Sequence, residues 1–429
     1  MKYSINIGII GYGIVGSGAV KILLMNADDI AKRVGIPLNI KKIVDLDITT
    51  DRQIGYNVSN FLSTDVNEIL NDPEIDIVVE TIGGIKPAIS FIKSAIEKGK
   101  NIVTANKELI AKYGFEILPL ATENKVDFMF EASVGGGIPI ISPLKSSLAG
   151  NKIHEIIGIV NGTTNYILSR MKEEGLDYVE VLKDAQAKGY AEADPTSDVD
   201  GFDSAYKITI LSSLAFNSSS KVENVYREGI KSITSQDIKN ADEMGYDIKL
   251  LAIANENDKC QVQARVHPTF VPKNHPLASV NGVMNAVYVK ANAVSETMYY
   301  GPGAGSLAAG SAIVGDIIES ARNILTNSTG KISCNCYASK EMISIENLTG
   351  KNYIRIIAED IPGCIASISK IFANNDVSLE RITQKETYNG IAEIIWLTHE
   401  SEEYKISKSL EEIEKLPVVK EIGSRIRVI

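Results

Sequence analysis

The chain has 429 residues, of which 44% are hydrophobic and 23% charged, and a formal net charge of −10. That length predicts roughly two to four domains, each with room for a full core, and the composition excludes a fibre, a disordered chain and a membrane protein. The acidic excess without a Lys/Arg cluster argues against nucleic acid or an anionic membrane as partner.

The first residues run straight into a strand pattern, with no signal-like apolar region, and no stretch of about eighteen apolar residues follows. A cytoplasmic protein is therefore expected. Cys260, Cys334, Cys336 and Cys364 are too scattered for a disulfide framework, and Cys334/Cys336 lacks a second ligand pair, so all four read as reduced thiols.

Ser4 to Ile10 is a β-branched run that reaches Gly11-Tyr12-Gly13-Ile14-Val15-Gly16, and the spacing predicts a helix over 17–33. Strand, Gly-x-Gly-x-x-Gly turn and helix start together make a pyrophosphate cradle: missing Cβ atoms allow close approach, and unpaired N–H groups meet the phosphates. A second strand, Asn39 to Val44, ends on Asp45, where a carboxylate can accept from the adenosine ribose. Asp45 favours NAD over NADP, although Lys41, Lys42 and Arg52 are at hand to meet a 2′-phosphate. Strands at 75–80 and 101–103, with a helix over 87–98 between them, complete a Rossmann-type doubly wound α/β domain. Thr81 and Lys107 stand at strand ends where the nicotinamide crevice opens. Lys107 reads either as solvated surface or as a group beside the cofactor.

Next comes Glu131-Ala132-Ser133-Val134-Gly135-Gly136-Gly137-Ile138-Pro139, which by itself is a tight turn, and then Gly158 to Asn165. Between Gly189 and Lys207 the acids Glu192, Asp194, Asp198, Asp200 and Asp203 crowd a loop broken by Pro195 and Gly201. A helix follows from Phe202, with Asp203 and Lys207 four apart on one face. The pair reads as a surface salt bridge or, with so many acids gathered before it, as part of a site for a cationic group. Gly301 to Gly305, with three glycines in five positions, suits an interdomain turn. Residues 328–350 turn short and polar. Beyond them a strand (353–358), the turn Glu359-Asp360-Ile361-Pro362-Gly363, a helix (364–374), strands near 377–384 and 392–399, a helix (405–416) and a last strand (418–428) give the ferredoxin-like order βαββαβ.

These separated motifs occur in the order and spacing of the homoserine dehydrogenase family, which the chain resembles over essentially its whole length. The C-terminal strand, Asp-x-Pro-Gly turn and helix resemble an ACT domain. The resemblance implies four regions: a cofactor domain over 1–130, joined again by 301–325; an α+β catalytic and dimerisation domain over 131–300; a linker over 326–350; and the ACT domain over 351–429. It implies interconversion of L-aspartate 4-semialdehyde and L-homoserine with NAD or NADP. Lys207 would be proton donor, Asp203 its orienting acid, and Lys107 a second lysine at the reacting carbon. Glu192 and Asp198 would bind the substrate amino group, and the backbone N–H groups of Asn161, Gly162 and Thr163 other polar groups of the substrate. Gly11, Gly13, Ile14, Val15, Gly16, Asp45, Thr81, Lys107, Gly301 and Gly305 would hold the cofactor. A structural sodium ion would sit between the Glu131 side chain and the carbonyls of Val134, Gly136 and Ile138.

Threonine is the implied ACT effector, against the plainer reading that the module serves only in dimerisation. A homodimer or homotetramer is expected. The chemistry suits the residues: hydride delivery to an aldehyde builds charge on oxygen, which a lysine ammonium both stabilises and protonates. The four histidines provide poorly for a histidine-based scheme. A dehydrogenase for another amino aldehyde, or a non-catalytic amino-acid or redox sensor on the same fold, are the competing readings.

Overall fold

The computed structural model describes residues 2–331, 338–385 and 387–429. Cys334 and Cys336 lie outside them, while Cys260 and Cys364 are free thiols. The chain divides into two compact units, one of Met1–Val160, Tyr206–Val222 and Met284–Lys340, the other of Asn161–Ala205, Glu223–Val283 and Glu341–Ile429.

The first unit is built on a six-stranded parallel sheet in which β1 (Ile5–Ile10), β2 (Leu38–Val44), β3 (Leu62–Ser63), β4 (Ile77–Glu80), β5 (Asn101–Thr104) and β6 (Phe128–Met129) stand in the order 3-2-1-4-5-6. That is the doubly wound order, with its switch point between β1 and β4. The central strands are largely apolar and buried because helices cover both faces: Ile5, Ile7, Ile9, Ile77, Val78 and Val79 are fully buried. In place of one helix over 17–33 there are two, Ile14–Met25 and Ala27–Val34, separated at Asn26, whose ψ of 18° leaves the helical range. The first is buried through its middle, Gly16 to Leu23 with only Lys21 half-buried, and the second buries just Ile30 and Val34, so the chain turns where its buried face changes. The helix Ser306–Leu325 packs on Ile14–Met25 so closely that a Cβ on Gly18 would lie 2.0 Å from the Ser306 carbonyl oxygen. Ile313, Val314, Ile317 and Ala321 thereby join the core of the sheet. This unit also holds antiparallel strands Ile153–Ile159, Met284–Ala291 and Ser295–Pro302.

The second unit pairs the long strands Tyr246–Glu256 and Val262–Pro272 antiparallel. Its C-terminal part has the expected βαββαβ order. Thr349–Glu359 lies between Ile391–Thr398 and the closing strand Val419–Val428, with Leu379–Gln384 on the outer edge. Helices Cys364–Asn374 and Glu403–Ile413 cover one face, burying Ile368, Phe372 and Ile406 around Trp396.

Candidate active site

In the first unit β1 ends on the glycine turn. Gly11 has a φ of 103°, and a Cβ there would lie 2.7 Å from the Thr81 backbone. A Cβ on Gly16 would meet the Gly11 carbonyl oxygen at 2.0 Å, whereas Gly13 has nothing within 4 Å and faces open space. Two glycines therefore close the turn and one leaves room for a ligand. The helix that follows starts at Ile14 with no side-chain cap, so its first N–H groups point at that opening. A cavity of about 470 Å³ lies there, lined by Gly11, Gly13, Asp45, Thr81 and Gly83 among others. These residues fit a dinucleotide.

Asp45 accepts from Tyr12 N at 2.5 Å and from Asp47 N at 3.0 Å, so each oxygen already holds one backbone donor and keeps a lone pair for a ribose. Arg52 donates through Nε to the Tyr12 carbonyl at 2.9 Å and through Nη2 to Asp47 at 3.1 Å, which brings a guanidinium to the glycine turn. The Thr81 hydroxyl donates to the Gly11 carbonyl at 2.8 Å, tying the ends of β1 and β4 together. Glu80 was not singled out in the sequence. It is fully buried, accepts from the Thr104 hydroxyl and from the N–H groups of Ile82 and Gly83, and its carboxyl is pushed up by burial. An acid ending a β-branched run was the available signal. Lys107, half-buried, opens the helix Lys107–Glu123 behind its cap Asn106.

Lys207 is 8% exposed, and its Nζ donates to the Val160 carbonyl at 2.6 Å. The helix Phe202–Ala215 carries Asp203 one turn earlier, as the spacing required. Asp203, 2% exposed, accepts from Asn161 Nδ2 at 2.9 Å, and the same amide donates to Asp198 at 2.7 Å. Asn161 caps the helix Gly162–Glu174, taking Thr164 N on its Oδ1 at 2.9 Å. One side chain thus gathers two carboxylates at a helix N-terminus, an arrangement that can receive an ammonium and a carboxylate together.

Around these, the Thr163 hydroxyl donates to the Tyr190 carbonyl at 2.7 Å and ties down the start of the acidic loop. Glu192 stands exposed, and its backbone carbonyl accepts from Gln186 Nε2 at 3.1 Å. Asp194 accepts from Thr196 N, and Asp200 pairs with Lys231 at 2.8 Å. The loop contains one helical turn, Thr196–Val199, that Pro195 initiates.

The Glu131 carboxylate receives the N–H groups of Ile140, Ile141 and Ser142 at 2.6 to 2.7 Å, and its own N–H donates to Asp316. Ringed by donors, it is poor company for a cation. Gly135 and Gly136 have φ of 73° and 56°, and Gly136 packs on the Gly303 carbonyl, so residues 134–138 and 301–305 form one close joint. No cluster of three or more His, Cys, Asp and Glu able to hold a metal occurs among the described residues. His154 is exposed, and His267 is buried, its imidazole pushed well below its usual pKa by burial. No described helix is long and apolar enough to cross a membrane.

Three family models match the chain: homoserine dehydrogenase, NAD binding domain, over 11–131; homoserine dehydrogenase over 139–318; and ACT domain over 352–418. A homoserine dehydrogenase of Synechocystis sp. is 46% identical over 99% of this chain and all of its own length. The crystal structure of a homoserine dehydrogenase from Thiobacillus denitrificans, 40% identical, superposes with a TM-score of 0.94 over 99% of this chain and 98% of that one. A hyperthermophilic archaeal homoserine dehydrogenase in complex with NADPH, 28% identical, matches with a TM-score of 0.62 over 74% of this chain and 97% of its own.

Proposed function

The chain belongs to the homoserine dehydrogenase family, and we propose that it interconverts L-aspartate 4-semialdehyde and L-homoserine with Lys207 as the proton donor. The observation that carries the assignment is the buried Lys207 ammonium, held by a backbone carbonyl one helical turn after a buried Asp203. When bound, NADH or NADPH would supply the hydride to the aldehyde carbon, and the oxidised form would take it back from homoserine in the reverse direction. Lys207 holds the proton that the new alcohol oxygen needs, and Asp203 keeps that lysine charged and oriented. Lys107 adds positive charge at the end of β5. Asp198, with Glu192 swinging in from the exposed loop, takes the substrate ammonium, and the N–H groups of Gly162 and Thr163 take its carboxylate. Gly11, Gly13, Ile14, Val15, Gly16, Asp45 and Thr81 hold the dinucleotide, with Gly301 and Gly305 closing over it. Asp45 and Arg52, both at the glycine turn, suit the ribose and the 2′-phosphate respectively.

Asp198→Asn is expected to raise the KM for homoserine at least about tenfold, the loss of one charged hydrogen bond. The KM for NADP should stay as it is. Steady-state kinetics with each substrate varied in turn check this, and an unaltered homoserine KM would remove Asp198 from the clamp.

Three further points belong to this reading. The domain limits are those implied by the resemblance: 1–130 with 301–325, 131–300, 326–350 and 351–429. A sodium ion, if bound, takes the carbonyls of Val134, Gly136 and Ile138, while Glu131 anchors the loop through three N–H groups. Association as a homodimer or homotetramer has a rim to use in Ser295–Pro302, which ends its sheet and exposes Met298 and Tyr300.

Threonine is the proposed ACT ligand. Asp360 accepts from Gln384 and Thr387, which hold its carboxyl below the usual range, and stands beside the uncapped helix start at Gly363. Carboxylate and helix N-terminus offer an ammonium and a carboxylate one partner each. Millimolar L-threonine should lower the rate and raise the melting temperature in the native chain, and do neither in Asp360→Ala. A native enzyme indifferent in both measurements would leave the module a purely structural one.

A further inference from the structure

The closing strand Val419–Val428 extends beyond its own module. Besides pairing with Thr349–Glu359, it pairs in parallel with Val262–Pro272 at Thr269↔Arg427 and Phe270↔Val428. At this joint Arg427 is 8% exposed. Its Nε and Nη2 donate to Glu403 at 3.0 and 2.8 Å within the module, and its Nη1 donates to Glu228 at 2.8 Å outside it. The guanidinium lies 5.0 Å from the centre of the Tyr226 ring, and the Tyr226 hydroxyl donates to Glu228. Burial of such a charge is tolerated only when both ends are paired, so the contact resists displacement.

Tyr226–Arg227 is a two-residue strand paired with Arg265 and Val266. Successive side chains of a strand point to opposite faces. Tyr226 meets Arg427, and Arg227 meets the acidic loop: its Nη1 donates to the Asp200 carbonyl at 2.6 Å, and its guanidinium stacks 3.4 Å from the centre of the Phe202 ring. Immediately after, Gly229 lies so close that a Cβ would sit 2.3 Å from the Val199 carbonyl oxygen, and Ile230 N donates to that oxygen at 2.9 Å. Val199 to Phe202 is the segment between Asp198 and Asp203, the two acids that Asn161 bridges.

We propose that Arg427 of the C-terminal module is a positioning residue for the reaction, setting the substrate loop through Glu228 and the Tyr226–Arg227 strand. The module is then a built-in support of the substrate site. An effector that shifted the closing strand would act on substrate binding by this route. The proposal rests on the reading of Asp198 as a substrate ligand.

Glu228→Gln in the full chain removes the charge on the catalytic side and leaves Arg427 paired with Glu403, and the fluorescence of the chain's single tryptophan, buried Trp396, reports whether the module keeps its fold. A displaced binding group costs about ten- to a hundredfold in kcat/KM. That loss is expected to fall on homoserine, through its KM, with the KM for NADP unmoved, and Arg427→Lys should recover part of what Arg427→Met loses. A homoserine KM at the native value in both Glu228→Gln and Arg427→Met, or equal changes in both KM values, overturns the proposal. Asp198→Asn distinguishes the two readings: if it raises the homoserine KM while Glu228→Gln and Arg427→Met both leave it unchanged, the clamp stands and Arg427 has no part in it; if Glu228→Gln and Arg427→Met raise it and Asp198→Asn does not, the loop is positioned by Arg427 but Asp198 is not the ligand.

Discussion

Lys207→Ala should cut turnover by roughly two or more powers of ten, the usual scale for a general acid, and leave cofactor affinity unchanged. The ammonium stands 2.6 Å from the Val160 carbonyl and is nearly inaccessible to water, so no solvent donor stands ready to replace it. Its removal leaves the developing alkoxide without a proton and without the charge that stabilises it. The dinucleotide cradle is built from other elements, the glycine turn and the ends of β1, β2 and β4, and has no reason to respond. The measurement is oxidation of NADH and NADPH with aspartate semialdehyde, alongside cofactor titration of the mutant by nicotinamide fluorescence. Lys207→Arg is the control for charge alone: it keeps a cation but gives up protons far less readily, so it too should stay well below the native rate. Native turnover in Lys207→Ala would transfer the proton-donor role elsewhere, with Lys107 the first candidate.

How much of this was legible in the chain depended on how local each cause is. Largely apolar, β-branched runs such as Ile5–Ile10 and Ile77–Glu80 identify buried parallel strands, and glycines between a strand and a helix identify the cradle. The alternation in residues 353–358 likewise placed the central strand of the C-terminal module. The break at Asn26 escaped because helical periodicity continues across it and only the buried face changes. Asn161 could be recognised as a helix cap, but the acids it bridges lie 37 and 42 residues away, and nothing at short range marks that meeting. The run at Glu131 reads by itself as a tight turn, the cation site being what the family resemblance implies. The loop instead folds back, so that the amides of 140–142 converge on its carboxylate. The amides that Glu131 receives lie nine to eleven residues on, beyond helix or strand periodicity, and the Asn161 contacts join segments far apart along the chain, where spacing carries no signal.

The largest effect on stability is expected at another such contact, Asp237 with Arg355, separated by 118 residues. The Asp237 side chain is fully buried and accepts from Arg355 Nε at 2.8 Å, Ser424 Oγ at 2.6 Å and Thr234 Oγ1 at 2.7 Å, with the Tyr353 hydroxyl at 3.2 Å. Thr234 caps the helix Ser235–Glu243 and shares a capping box with Asp237, so one carboxylate anchors a helix start and two strands of the C-terminal module. Removing it strands the Arg355 guanidinium in the interior with Glu393, 3.7 Å away, as its remaining acid partner among the described residues. A buried charge left unpaired costs about 3–5 kcal/mol, which for a unit of this size lowers the melting temperature of Asp237→Ala by on the order of 10 °C.

Burial alone would push the Asp237 carboxyl up, but the donors from Arg355, Ser424 and Thr234 outweigh it and hold the group below its ordinary 3.8. A depressed folded pKa contributes stability that is complete above the unfolded value and is lost as pH falls through the folded one. The native chain and Asp237→Asn should therefore differ most in melting temperature near neutrality, and their curves should converge only below about pH 4. Calorimetry of both proteins from pH 7 down to pH 3 checks the sign. A difference that stays constant over that range would mean the carboxylate acts by shape alone, and Arg355 would then be held by neutral hydrogen bonds rather than by charge.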